Sequence, residues 1–152
     1  MAYLRLDNVN DKMARTFRTG AEVLVNGNFV NVGVLENNNL GRDTYAIAKL
    51  TDVAGDAYAF IAHDGHTYDP ASNGDISVPA NSLTRGYLLS RGDVITIQKD
   101  LVANAVVVGD KLAPNVGGHK LAKAVAASVN VIAVVDAIEK YAGVDCYVIR
   151  FL

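Results

Sequence analysis

From Ala21 onward, apolar and polar residues alternate in short runs punctuated by Gly, Asn and Asp, which is the period of half-buried strands rather than of helices. The run AEVLVNGNFVNVGVLE (21–36) places Val30, Val32 and Val34 on one face, and its Asn26-Gly27 pair predicts a type I′ hairpin turn. In TYAIAKL (44–50), Tyr45, Ile47 and Lys49 oppose Ala46, Ala48 and Leu50; in AYAFIAH (57–63), Tyr58, Phe60 and Ala62 share a face. These two runs are expected to pair with each other through a turn at Gly55. ISV (76–78), closed by Pro79, reads as a short edge strand, because proline cannot donate to a central ladder. GDVITIQ (92–98) and LVANAVVVGDKLAP (101–114) follow as two β runs punctuated by Gly-Asp turns. KLAKAVAAS (120–128) fits helical spacing at Leu121, Ala124 and Val125 and fits a strand equally; the strand is preferred. VNVIAVVDAI (129–138) has the β-branched density of a buried strand, and EKYAGVD (139–145) reads as a loop, with IEKYAG also matching a short helical turn capped by Gly143. CYVIRFL (146–152) aligns Tyr147, Ile149 and Phe151 and predicts a terminal strand pinned inside a sheet. The pattern as a whole predicts an all-β fold, an antiparallel β-barrel or β-sandwich of about nine or ten short strands.

Two stretches depart from alternation. Residues 1–20 have no sustained period and carry Arg5, Lys12, Arg15 and Arg18 against Asp7 and Asp11. They read as an extended N-terminal arm on a single domain spanning 21–152, with a short helix around Lys12 to Phe17 as an option. Removal of residues 1–18 is then expected to leave a folded domain. The region 64–85 collects Gly65, Pro70, Asn73, Gly74, Pro79 and Asn81 and reads as an elaborated loop, a candidate contact surface.

Composition narrows the function classes. The 152 residues suffice for one core, and the single cysteine, Cys146, forms no intrachain disulfide and reads as a buried thiol. A net charge of −2 argues against generic nucleic-acid or anionic-membrane binding. No signal-peptide core or membrane-spanning run is present, which suggests a soluble protein made in a cytoplasm.

Candidate chemistry is sparse. HDGHTYD gathers His63, Asp64, His66 and Asp69, residue types that bind metals, but its spacing matches no zinc motif. Arg91-Gly92-Asp93 spells a receptor-binding tripeptide and is equally explained as a turn leading into a strand. NVGGHK (115–120) lacks the Gly-Lys-Ser/Thr pattern of a phosphate loop and reads as a flexible hairpin tip. Asp136 and Glu139 form no recognisable catalytic pair, and no nucleophile elbow occurs. Catalytic, cofactor-binding and metal residues are therefore all expected to be none.

The order GDVITIQKDLVANAVVVGDKLAPNVGGHKLAKAV, VNVIAVVDAI and CYVIRFL resembles capsid decoration, or cement, proteins of tailed bacteriophages. AEVLVNGNFVNVGVLE, YAIAKLTDV and FIAHDGHTYDP are similar in style to small phage head proteins. The resemblance covers roughly residues 20–152 and rests on turns and apolar strands. It implies a non-catalytic head-stabilising virion protein on the capsid exterior, bridging subunits of the major capsid protein, often as a homo-oligomer (trimer or dimer). On that reading the capsid-contact candidates are Arg5, Lys12, Arg15, Phe17 and Arg18 in the arm, with Tyr68 and Asp69 in the long loop. Two alternatives stand beside it. One is a host-surface carbohydrate- or receptor-binding module using Tyr45, Tyr58, Tyr68 and Tyr87; the other, less favoured, is a metal-dependent hydrolase using His63, His66 and Asp69.

Overall fold

The computed structural model describes residues 4–9, 14–36, 44–63, 77–141 and 143–152, and these form an all-β protein. Its strands are β1 (Leu4–Asn8), β2 (Arg15–Arg18), β3 (Leu24–Val25), β4 (Phe29–Leu35), β5 (Thr44–Ala48), β6 (Tyr58–Ile61) and β7 (Ser77–Val78). The second half adds β8 (Leu83–Leu88), β9 (Val94–Gln98), β10 (Lys111–Pro114), β11 (Leu121–Lys123), β12 (Ala133–Tyr141) and β13 (Val144–Phe151). Strands β2-β5-β4-β6-β8 close a five-stranded barrel, and β1-β9-β13-β12-β10-β11 make a six-stranded sheet. A two-stranded ribbon pairs β3 with β7. No helix among the described residues is long and apolar enough to cross a membrane.

Strand β6 is buried at all four positions because its two faces serve different cores. Ala59 and Ile61 face the barrel interior with Phe17 and Val30, while Tyr58 and Phe60 face outward against the six-stranded sheet. Strand β4 starts the same way, Phe29 outward beside its ladder partner Phe60 and Val30 inward. The sheet answers with Ile95, Ile97, Val135, Tyr147, Ile149 and Phe151. Phe151 closes the joint, its ring stacked on Phe60 at 6.0 Å and edge-on to Phe29 at 6.2 Å. Such aromatic pairs add about 0.5–1.5 kcal/mol each beyond area burial.

The predicted arm is instead woven into both sheets. Strand β1 pairs with β9, and β2 closes the barrel between β8 and β5, the β2–β5 contact being parallel. Phe17 is completely buried, and its ring lies over Gly86, where an added Cβ would come within 2.9 Å of it. Polar residues alternating around one aromatic side chain looked like an arm in sequence because a four-residue barrel strand needs only one core residue. No helix forms at 14–18, and Lys12 lies outside the described residues.

Other pairings also differ from the sequence pattern. The turn at Asn26-Gly27 exists, with Asn28 N–H donating to Val25 C=O at 3.1 Å, but only Gly27 has a positive φ, of 88°. That is the type II pattern, whose twist does not suit a tight hairpin, so β3 and β4 part into different sheets. Strands β5 and β6 do not pair with each other; both flank β4, which is long enough to present two edges. The run LVANAVVV, read as a strand, starts at the last residue of a 3₁₀ turn (Lys99–Leu101), makes one isolated bridge from Val102 to Leu121 and continues as a loop. There Asp110 accepts from Val107 N–H at 3.0 Å and turns the chain before β10. Residues 139–141, read as loop or helical turn, continue β12 to Tyr141, opposite Val144, with Gly143 at φ 77° in the hairpin. The terminal strand β13 lies between β9 and β12, as the pattern of Tyr147, Ile149 and Phe151 predicts.

If β2 is structural, Phe17→Ala will lower the unfolding free energy by about 3–5 kcal/mol, read from urea denaturation at unchanged slope. Removing residues 1–18 will abolish cooperative unfolding. A truncated chain that unfolds as cooperatively as the full one would restore the arm.

Candidate functional site

The six-stranded sheet and the barrel meet again at one end, where three loops are tied together. The tip of the β10–β11 hairpin is bound to the barrel rather than free: Gly117 N–H donates to Leu50 C=O, Leu50 N–H to Gly118 C=O (both 2.9 Å), and Phe29 N–H to His119 C=O at 2.8 Å. The His119 ring adds contacts from Nδ1 to Phe29 C=O at 3.1 Å and from Nε2 to Glu22 at 2.9 Å. Lys49 pairs with the same carboxylate at 2.7 Å, and together Lys49 and His119 hold the Glu22 carboxyl below its ordinary range.

The loop after β5 (51–57) and the loop before β12 (124–132) are joined through Asp52. Its carboxylate accepts Val129 N–H at 2.9 Å and Asn130 N–H at 2.7 Å. Asn130 Nδ2 donates onward to Val53 C=O at 2.7 Å and to Tyr58 Oη at 2.9 Å. Tyr58 Oη donates to Thr51 C=O at 2.7 Å, and Asp56 accepts from Thr51 Oγ1 at 2.6 Å and Val53 N–H at 3.0 Å. Thr51 and Val53 thereby hold the Asp56 carboxyl low, while burial, reinforced by Asp56 and Asp52, pushes the Tyr58 phenol up to about 12. Networks in which each group has a partner fix loop geometry at small net cost.

What these tied loops present to solvent is apolar. Val116 and Val125 are each 66% exposed, and Val53 and Val129 each 60% exposed. Val116 and Val125 line an open cleft of about 420 Å³ together with Asp52, Asn104 and Ser128. Val129 is bonded to the lining residue Asp52 through its backbone N–H, and Val53 follows Asp52 in the chain. Single exposed valines are ordinary, but two lining one cleft and two more on the loops tied to it, all with fixed backbones, have the character of a protein-contact surface.

The contact candidates named from sequence are dispersed and mostly engaged elsewhere. Arg5 reaches Asp7 at 2.5 Å and Glu139 at 2.6 Å, with its guanidinium over the Tyr141 ring at 5.1 Å. Arg18 holds Glu36 through one nitrogen at 2.8 and 3.0 Å. Phe17 is in the barrel core, and Arg15 lies beside it on β2, half-buried. Lys12, Tyr68 and Asp69 lie outside the described residues, as does His66 of the proposed metal cluster; His63 Nδ1 faces Thr84 Oγ1 at 3.1 Å. Among the described residues no three metal-binding side chains converge. Asp136 and Glu139 are ion-paired separately, with Arg150 and Arg5.

Arg91-Gly92-Asp93 is a turn. Asp93 is completely buried, its N–H donates to Ser90 C=O at 3.1 Å, and its carbonyl accepts from Phe151 N–H at 2.9 Å. Cys146 is buried as well, and burial raises its thiol above the ordinary range.

The exposed valine cluster had a faint sequence signal. Val116 stands between Asn115 and Gly117 and Val53 stands two residues before Gly55, whereas Val125 and Val129 fall in KLAKAVAAS and VNVIAVVDAI, both read as strands; β11 ends at Lys123 and β12 starts at Ala133, so both valines lie in the loop between them. Compared with protein-family models, curated proteins and solved structures, the chain matches none.

The Tyr58 network sets a pH limit. The folded phenol keeps its proton up to about 12 while the unfolded one ionises near its ordinary 10, so stability is full below pH 10 and falls as pH rises through that interval. Tyr58→Phe will flatten the stability profile there and cost about 1 kcal/mol at neutral pH through the lost hydrogen bonds, measured by urea unfolding across pH 8–12. An unchanged profile would place the phenol outside the network.

Proposed function

We propose that this protein is a non-catalytic virion component that binds the outside of a tailed-bacteriophage head and stabilises the shell by bridging subunits of the major capsid protein. The observation that carries this reading is the group of four exposed valines on three mutually tied loops. The resemblance of the strand and turn order to capsid decoration proteins names the kind of partner. A rigid apolar face loses little conformational freedom on docking, so more of its burial energy appears as affinity. Any protein that binds only the assembled, expanded lattice stabilises that lattice by linkage, and the effect repeats over every equivalent site. On this reading the contact surface moves from the N-terminal residues, which serve the sheets, to the loop end. A homo-oligomer, trimer or dimer, would multiply the contacts.

The carbohydrate-binding reading has less support. Tyr58 is buried with its hydroxyl engaged, Tyr87 stacks on Phe60 at 5.6 Å, and Tyr45 packs against Phe17 at 6.3 Å. These rings serve the cores rather than an open stacking platform.

The test is co-sedimentation with expanded phage heads that lack a decoration protein. The native chain will pellet with the heads and raise their melting temperature, and Val116→Asp/Val125→Asp will weaken binding by about a hundredfold, since a charge at a buried contact costs several kcal/mol. Failure of the native chain to bind expanded heads from any of a broad phage panel would overturn the proposal.

A further inference from the structure

A second open cleft, of about 470 Å³, shares a lining residue with the valine cleft and is lined also by Lys99, Asp100, Lys120 and Tyr147. Asn104 lines both. The loop carrying it is tied at each end: Val102 N–H donates to Lys99 C=O at 3.1 Å, Ala103 N–H to Leu121 C=O at 2.8 Å, and Val106 N–H to Tyr147 Oη at 3.3 Å. The residues on either side of Asn104 are therefore held to the scaffold.

The two halves differ in chemistry. The first presents Val116 and Val125. The second presents two ammonium groups, with Lys99 Nζ held over the Tyr147 ring at 5.5 Å. Asp100 lines the same cleft and keeps its charge, because the Gln98 amide that donates to it at 3.1 Å is neutral, and Asp145 pairs with Lys140 at 3.1 Å while also feeling the charge of Lys99. Lys120 is exposed and forms no ion pair among the described residues. One end is thus apolar, and the other carries two ammonium groups against one lining carboxylate.

We infer that the two clefts form one docking channel for an extended segment of a partner protein, with an apolar side chain seated between Val116 and Val125 and carboxylates facing Lys99 and Lys120. The inference rests on the reading of the loop end as a protein-docking face, and it specifies that partner as acidic beside its apolar anchor. Charge complementarity at the rim sets orientation and association rate more than total affinity, so the interaction weakens with added salt. Cation–π contact with Tyr147 holds the Lys99 head in place without neutralising it.

The experiment uses the full chain, isotopically labelled, and two capped synthetic peptides: two leucines followed by three glutamates, and the same with three lysines. The acidic peptide will shift the amide resonances of Asn104, Val116, Lys120 and Val125, its affinity falling severalfold in high salt. The basic peptide will bind at least about tenfold more weakly, and Lys99→Glu/Lys120→Glu will reverse that order while unfolding stays cooperative. Equal binding of both peptides, shifts at other residues, or no binding by either overturns the inference. Shifts of the same resonances on dilution without peptide would assign the channel to a second copy of the chain and overturn it likewise. In the head assay, loss of binding by the valine variant but not the lysine variant would retain the docking face and reject the acidic partner. Absence of any head binding, with the peptide preference intact, would reject the capsid while retaining the channel.

Discussion

Two strands carry hydrophobic side chains on both faces, and the rest of the molecule depends on them. Strand β6 and the first half of β4 belong to the barrel wall, yet Phe29 and Phe60 point away from the barrel and into the larger core. Phe151, from the last strand of the chain, fills the angle between them. Solvating either core would expose a strand that the other core needs, so barrel and sheet share one wall. A 152-residue chain gains a larger buried fraction this way than it would from two small separate cores.

The shared wall also explains where the candidate surface lies. Loops leaving the barrel and loops leaving the sheet reach the same end of the molecule, where the backbone bonds of Leu50, Gly117 and Gly118 and the carboxylate of Asp52 join them. Polar groups do the joining, and the valines remain outside. This inverts the usual economy of a loop, in which apolar side chains turn inward. A surface of that kind loses little conformational freedom when it is covered.

Much of the fold was legible because alternation reports which residues share a face. Tyr147, Ile149 and Phe151 marked a central strand, Ser77-Val78 before Pro79 marked an edge, and the Gly-Asp pairs marked turns. The failures have a common cause. Strand β2 contributes one buried residue, Phe17, flanked by arginines and threonine, and no window of four residues can distinguish that from a polar tail. The tripeptide at 91–93 and the arginines at 5 and 18 carried recognisable chemistry, but the fold spends them on a turn and on ion pairs. The valine cleft combines residues more than 70 positions apart, so its parts were visible singly and its unity was not.

The sequence by itself determined the class of the protein: all-β, with strand faces set by a period of two and turns set by glycine and asparagine chemistry. It also determined most turn positions, since a positive φ is a local requirement. Tertiary structure decided the partners of each strand. At Asn26-Gly27 a single positive φ instead of two sends β3 and β4 into different sheets. Around β4, two open edges take β5 and β6 on opposite sides rather than as a hairpin. Pairing depends on which edges and apolar faces remain available once every other strand is placed, and that is a property of the whole chain. For the same reason, only the assembled fold could show that the N-terminal residues hold the sheets together while four turn-region valines face outward.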